Sequence, residues 1–174
     1  LDLAIARADG AIVRLSDKDH GASWDLAEIA KAENISGAPP SLRVADLDNN
    51  GGLDLTLGSE VWLSDENGKF VAGKTVAEDV FDVADVNGDG RLDLLGLSDE
   101  RPVEGINAGS KNYHWQVVRP RASSAVGDQR INPFGVGGEM EIRSGLLVQT
   151  QPITGPMLHF GLGDQTSADV IRVV

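Results

Sequence analysis

The chain contains no cysteine, which excludes disulfide bridges and thiolate metal sites while leaving the redox compartment open. It has no run of eighteen apolar residues and no visible signal-peptide pattern, so no segment reads as a membrane span. Positive charge is scarce: 15 Lys and Arg stand against 27 Asp and Glu, for a formal net charge of −12. Nucleic acid is therefore excluded as a partner, because phosphate recognition needs clustered Lys and Arg and none occurs here. The three histidines, His20, His114 and His159, lack zinc-site spacing, and no Gly-x-Ser-x-Gly elbow supplies a nucleophile. Nothing spells an enzyme. What remains is a chain of 174 residues whose 41% hydrophobic content can bury a core, and whose 21 Gly and 7 Pro suit a turn-rich β protein.

Two stretches carry one acidic pattern. Asp46, Asp48, Asn50, Gly51 and Asp54 occupy relative positions 1, 3, 5, 6 and 9, and Asp85, Asn87, Asp89, Gly90 and Asp93 repeat those places 39 residues later. Alternate carboxylate and amide side chains on a curled loop supply the oxygens that a hard cation such as Ca²⁺ takes. The glycine at position 6 permits the left-handed backbone that the curl requires, and the residue at position 7, Gly52 or Arg91, is expected to add a main-chain carbonyl. An EF-hand would close with Glu at position 12 and be flanked by helices. Leu57 and Gly96 stand there instead, and the residues after Asp54 and Asp93 read as strands, which makes position 9 the last ligand.

The repetition extends beyond the loops. Leu1 to Ala6 aligns with Leu53 to Gly58, so Asp2 takes the register of a ninth position, and the chain reads as a fragment of a longer array. Val13-Arg14-Leu15-Ser16-Asp17 matches Val61-Trp62-Leu63-Ser64-Asp65, each followed by a Gly and then an aromatic, Trp24 or Phe70. The shared unit is loop, strand, strand, turn, strand. Asn67-Gly68 predicts a two-residue hairpin, and a period of roughly 40 to 50 residues belongs to propellers and similar arrays.

These motifs, Asp-x-Asp-x-Asn-Gly-x-x-Asp and Asp-x-Asn-x-Asp-Gly-x-x-Asp with apolar residues before and Leu after, resemble the FG-GAP/VCBS repeats of integrin-like β-propellers over roughly residues 1 to 100. The resemblance implies Ca²⁺ binding through Asp46, Asp48, Asn50 and Asp54, and through Asp85, Asn87, Asp89 and Asp93. It also implies further blades, since this chain alone cannot close a ring.

The remainder differs in charge. Residues 1–104 hold 9 Lys and Arg against 22 Asp and Glu, whereas residues 105–174 hold 6 against 5. Gly105 to Gly109 marks the shift, and Trp115–Val118, Gly138–Arg143, Leu146–Gln149 and Val170–Val174 read as strands separated by Gly, Pro and Asn. Asn112-Tyr113-His114-Trp115, Asn132 to Gly138 and His159-Phe160-Gly161-Leu162-Gly163 resemble the ASPIC/UnbV domain, which follows VCBS repeats in secreted bacterial proteins and in cartilage acidic protein-like proteins. The family's Trp-Pro-x-Gly turn after the last strand does not appear, so the module reads as truncated at its C-terminus.

The expected architecture is thus all-β: calcium-binding propeller-type hairpin repeats over 1–104, then an antiparallel sandwich or barrel-like module over 105–174. His159 is read as a packed or hydrogen-bonded structural residue, Glu139 and Glu141 as a solvated face, and Gly135-Val136-Gly137-Gly138 as a strand-entry turn. Asp79, Asp82 and Asp99 are read as solvated surface. Trp24, Trp62 and Trp115 are assigned to core packing, with sugar stacking as the alternative. Asn34-Ile35-Ser36 is a glycosylation sequon. The functional expectation is a non-enzymatic, secreted or cell-surface adhesion or recognition module with a protein or glycan ligand and self-association through exposed strand edges. The alternative is an accessory part of a secreted polysaccharide-acting enzyme.

Overall fold

The computed structural model describes residues 2–33, 41–65, 67–76, 79–109, 111–122 and 132–174. Among them the regular structure is entirely β, in five small antiparallel sheets. No helix in them is long and apolar enough to cross a membrane. The sequon at Asn34 lies outside the described residues. The chain divides into two compact units, one formed by Leu1–Leu47 with Gly52–Ala108 and the other by Asp48–Gly51 with Gly109–Val174.

The first unit contains three meanders. Strands β1 (Asp2–Ala6), β2 (Ala11–Asp17) and β3 (Trp24–Lys31) form one sheet in chain order. Strands β4 (Leu42–Ala45), β5 (Asp54–Leu57), β6 (Glu60–Ser64) and β7 (Phe70–Ala72) form a four-stranded sheet, again in order. Strands β8 (Asp79–Ala84), β9 (Asp93–Ser98) and β10 (Arg101–Gly105) complete the set. Each connection is short, so neighbours in sequence become neighbours in the sheet.

Ile12 and Ala32 from around the first sheet pack with Leu55, Leu57 and Trp62 of the second in one buried cluster. Removing a fully buried Leu or Ile side chain from such a cluster costs about 2–5 kcal/mol. Repeat position alone does not decide burial. Leu3 and Ile5 are the sequence counterparts of Leu55 and Leu57, yet they are 47% and 44% exposed where Leu55 and Leu57 are each 1% exposed. The difference is the neighbour: the second sheet has the first to pack against.

The hairpin turns also repeat. Oδ1 of Asp17 accepts the N–H groups of Asp19 and Gly21, and Oδ1 of Asp65 accepts those of Asn67 and Lys69. An Asp at this place therefore ties down the turn in both repeats by the same i+2 and i+4 bonds. The Lys69 N–H first, and the Asn67 N–H second, hold the Asp65 carboxyl below the usual carboxylate range. The two-residue hairpin expected around Asn67-Gly68 is not formed. Closure is wider, with Asp65 N–H donating to the Lys69 carbonyl at 2.9 Å while Gly68, at φ +71°, donates to the carbonyl of Asp65. A positive φ at the last turn residue relieves the mismatch that a longer loop imposes on the strand twist.

The second unit pairs β11 (His114–Val118) with β14 (Leu158–Gly163), and places β12 (Glu139–Ser144) between β13 (Leu147–Pro152) and β15 (Val170–Val173). Met140, Ile142, Ile153, Leu158, Phe160 and Leu162 from both sheets share one core. Their spacing of two along β12 and β14 is the alternation that sends every second side chain inward. The amides of Gln149 and Gln151 on β13 donate to the carbonyls of Gly161 and His159 on β14, at 2.6 and 2.9 Å, and join the two sheets. The Gly135–Gly138 stretch is a turn: Gly138 N–H donates to the Gly135 carbonyl, and Gly135 and Gly137 take φ of +70° and +95°.

Candidate metal centre

The first acidic loop connects β4 to β5 and opens directly out of the strand pairing, since Ala45 lies opposite Asp54. Asp46 and Asp54 are buried and Asp48 is half-buried, and the three carboxylates bring oxygens within 4.8 Å of one another. Among the described residues this is the one such gathering of three His, Cys, Asp or Glu side chains. The curl has two left-handed residues, Asn49 at φ +61° and Gly51 at φ +87°. The second loop has the same pair, Gly88 at φ +75° and Gly90 at φ +83°. Positions 4 and 6 are therefore both left-handed in both loops, and Asn at position 4 is one of the few residues with a side chain that tolerates this.

Position 9 has a structural role that the ligand pattern does not announce. Oδ2 of Asp54 accepts the N–H of Leu47 and Oδ1 accepts the N–H of Ser64, each at 2.7 Å. In the second loop, Oδ2 of Asp93 accepts the N–H of Val86 at 3.1 Å and Oδ1 that of Asn107 at 2.8 Å. Both aspartates begin a strand, β5 or β9, and both are fully buried. Each carboxylate thus pins loop position 2 to a distant segment, and an ionised carboxylate keeps lone pairs for a further partner.

The second loop directs its other acids differently. Oδ1 of Asp85 accepts the N–H groups of Gly88 and Asp89, and Oδ2 accepts that of Gly90. Asp89 receives the Arg91 N–H at 2.9 Å and the Asn87 amide at 3.2 Å, and the Arg91 guanidinium lies 3.6 Å away. The Arg91 N–H is the largest influence holding the Asp89 carboxyl below its usual range, against a smaller opposing effect of desolvation. Asp85, Asn87, Asp89 and Asp93 therefore fold the loop through protein hydrogen bonds and do not converge as Asp46, Asp48 and Asp54 do. Of the remaining sequence candidates, Asn50 donates its N–H to Oδ1 of Asp48 at 3.1 Å and Gly52 is half-buried. Asp2 lies 3.7 Å from Arg14 on an exposed strand, a pairing worth little in water.

The donor set suits a hard cation. Three convergent carboxylates are the kind of oxygen ligand that Ca²⁺ or Mg²⁺ takes, and the described residues offer no thiolate or imidazole cluster for a softer metal. The first loop can accordingly hold a metal ion.

Other sequence candidates find varied places. His159 is hydrogen-bonded as expected: Nε2 meets Oδ1 of Asn49 at 2.7 Å, and because that oxygen only accepts, Nε2 carries the proton. The ring also stacks on Trp115, with centroids 6.1 Å apart. Trp62 is in the core, but Trp24 and Trp115 are 43% and 39% exposed, which corrects their assignment to core packing. Glu141 is not simply solvated: Arg143, two residues along the same strand, and Arg172, opposite it on β15, each reach it at 2.9 Å. The Arg143 hydrogen bond first, and that of Arg172 after it, hold its carboxyl below the usual range. Asp79, Asp82 and Asp99 are exposed, with Asp82 3.6 Å from Arg43. Sequence reasoning missed Asn107, whose bonds reach both loops.

No family model, curated protein or solved structure matches this chain.

Proposed function

We propose that this chain is a calcium-braced recognition module of the extracellular or bacterial surface setting, acting by binding rather than by catalysis. The observation that carries the reading is the convergence of Asp46, Asp48 and Asp54 on one small volume at the base of β5. Three like charges at such separations repel strongly in a partly buried site, and a divalent cation turns that repulsion into attraction. Calcium is favoured over magnesium because the oxygens lie on a curled, irregular loop, whereas Mg²⁺ demands near-ideal octahedral geometry and keeps most of its water. Extracellular modules bind Ca²⁺ at about 10⁻⁴ to 10⁻³ M, a range that calcium outside cells fills.

The first loop is the stronger site in this reading. Calcium at the second loop must draw Asp85 and Asp89 away from backbone N–H groups that already engage them. The FG-GAP/VCBS and ASPIC/UnbV resemblance supports the same reading through the loop pattern, and suggests a protein or glycan ligand and contact with further β repeats. Calorimetric titration with calcium and with magnesium tests it: a calcium-binding step that Asp46→Asn and Asp48→Asn abolish is expected, and no heat with either ion would refute it.

A further inference from the structure

We propose that Asn107 is a positioning residue for the first metal loop, and that it couples this loop to the second. It follows β10, in a stretch that the sequence marks only as a change of composition. Its side-chain amide donates to the carbonyl of Leu47 at 2.7 Å and to the carbonyl of Leu92 at 3.1 Å. Its backbone N–H donates to Oδ1 of Asp93 at 2.8 Å. Leu47 stands between Asp46 and Asp48, and Leu92 immediately precedes Asp93. One side chain therefore grips the main chain of both acidic loops.

The consequence for the metal site follows from the Leu47 peptide. Its N–H is held by Asp54 and its carbonyl by Asn107, while its own side chain is buried. With position 2 fixed this way, positions 1 and 3 have little freedom to turn aside, and Asp46 and Asp48 stay gathered with Asp54. Without an ion those carboxylates repel. Slack in Leu47 would let them separate, and binding would then have to restore the geometry. Asn107 removes that slack in advance, which is preorganisation. Because the same amide holds Leu92, a shift in either loop alters the hydrogen bond available to the other, and such a link is a coupling free energy between sites. An amide suits this position because two carbonyls need two N–H donors on one group, which neither Asp nor Leu supplies.

This inference rests on the reading of the first loop as a metal site, and the test separates the two. Calcium titration calorimetry is run on the parent chain, Asn107→Ala, Asp89→Asn and the double variant. Asn107→Ala should weaken the tighter site by about tenfold, the scale of one hydrogen bond. Asp89→Asn should weaken that site severalfold in the parent and leave it unchanged when Asn107 is already Ala. A merely structural Asn107 would lower the metal-free melting temperature yet leave calcium affinity and the calcium-induced rise in melting temperature intact, and that result overturns the inference. Should Asn107→Ala not fold, Asn107→Ser, which keeps one donor, takes its place with a smaller loss of affinity expected. Hydrogen exchange on Asp89→Asn adds an arm without any change at Asn107: calcium should slow the Val86 and Asn107 amides, and unchanged rates overturn the coupling. A parent chain that binds no calcium overturns the metal reading itself. A parent that binds while all Asn107 effects vanish overturns only this inference.

Discussion

Oδ1 of Asp54 accepts the backbone N–H of Ser64 at 2.7 Å, joining the first residue of β5 to the last residue of β6. The other oxygen of the same carboxylate holds Leu47, inside the acidic loop. Asp93 makes the corresponding pair of bonds to Val86 and Asn107. In both repeats one buried carboxylate therefore fastens a loop to the far end of the hairpin that follows.

The ninth-position aspartates should consequently matter without metal. Asp54→Asn preserves shape but sets an NH₂ group against a backbone N–H, leaving a buried donor unsatisfied at a cost of about 1–3 kcal/mol. Urea denaturation in excess chelator should show this loss for Asp54→Asn and for Asp93→Asn. Unchanged midpoints in chelator would mean that position 9 serves the ion alone.

Gly51 gives a second expectation. A Cβ there would stand 2.7 Å from Cδ2 and 2.9 Å from Cδ1 of Leu147, and the backbone has φ +87°. The end of a leucine can swing aside, but the left-handed backbone cannot be relieved so easily, at about 1–2 kcal/mol. Gly51→Ala should therefore destabilise by that amount, with Leu147→Ala failing to rescue it. A double variant restored well beyond additivity would show that the clash with Leu147 dominates.

Glu141 sets a pH dependence. Its carboxyl is held below the usual range by Arg143 and Arg172, so its contribution is fully present above the unfolded-state value and is lost as the pH falls through the lower folded-state value. The stability gap between the parent and Glu141→Gln should be constant near neutrality and close progressively in the acid range below ordinary carboxylate titration. Melting curves across that range measure it, alongside carbon-13 titration of the carboxyl groups of Asp65, Asp89 and Glu141, all of which should titrate low. A gap that persists unchanged in acid would remove the ion pairs as its cause.

What the sequence discloses and what it hides divide along range. The loops are legible because ligand spacing and the glycine at position 6 are local, although only the acids of the first loop converge; Asp54 and Asp93 do begin strands, as the residues after them suggest. Strand β12 is legible through alternation, since Met140 and Ile142 fall two apart, whereas β14 does not read as a strand because Gly161 and Gly163 punctuate its Leu158, Phe160 and Leu162 alternation. The grip of Asn107 on Leu47 spans 60 residues and ends on a carbonyl, a group that every residue carries, so no pattern in the chain announces it. Trp24 and Trp115 show the limit of reading burial from aromatic character: the exposure of a strand face depends on which layer covers it. The closure across Asp65 and Lys69 depends on backbone twist, which the Asn-Gly pair alone does not fix.

Calorimetric melting of the parent chain in millimolar calcium and in chelator, beside Asp46→Asn with Asp48→Asn, tests the metal reading most directly. An ion that binds only the folded state at about one to ten times its Kd stabilises it by about 0.4–1.4 kcal/mol, so calcium should raise the parent's melting temperature by a few degrees and leave the folded variant unmoved. Superimposable parent curves with calcium and with chelator would contradict it.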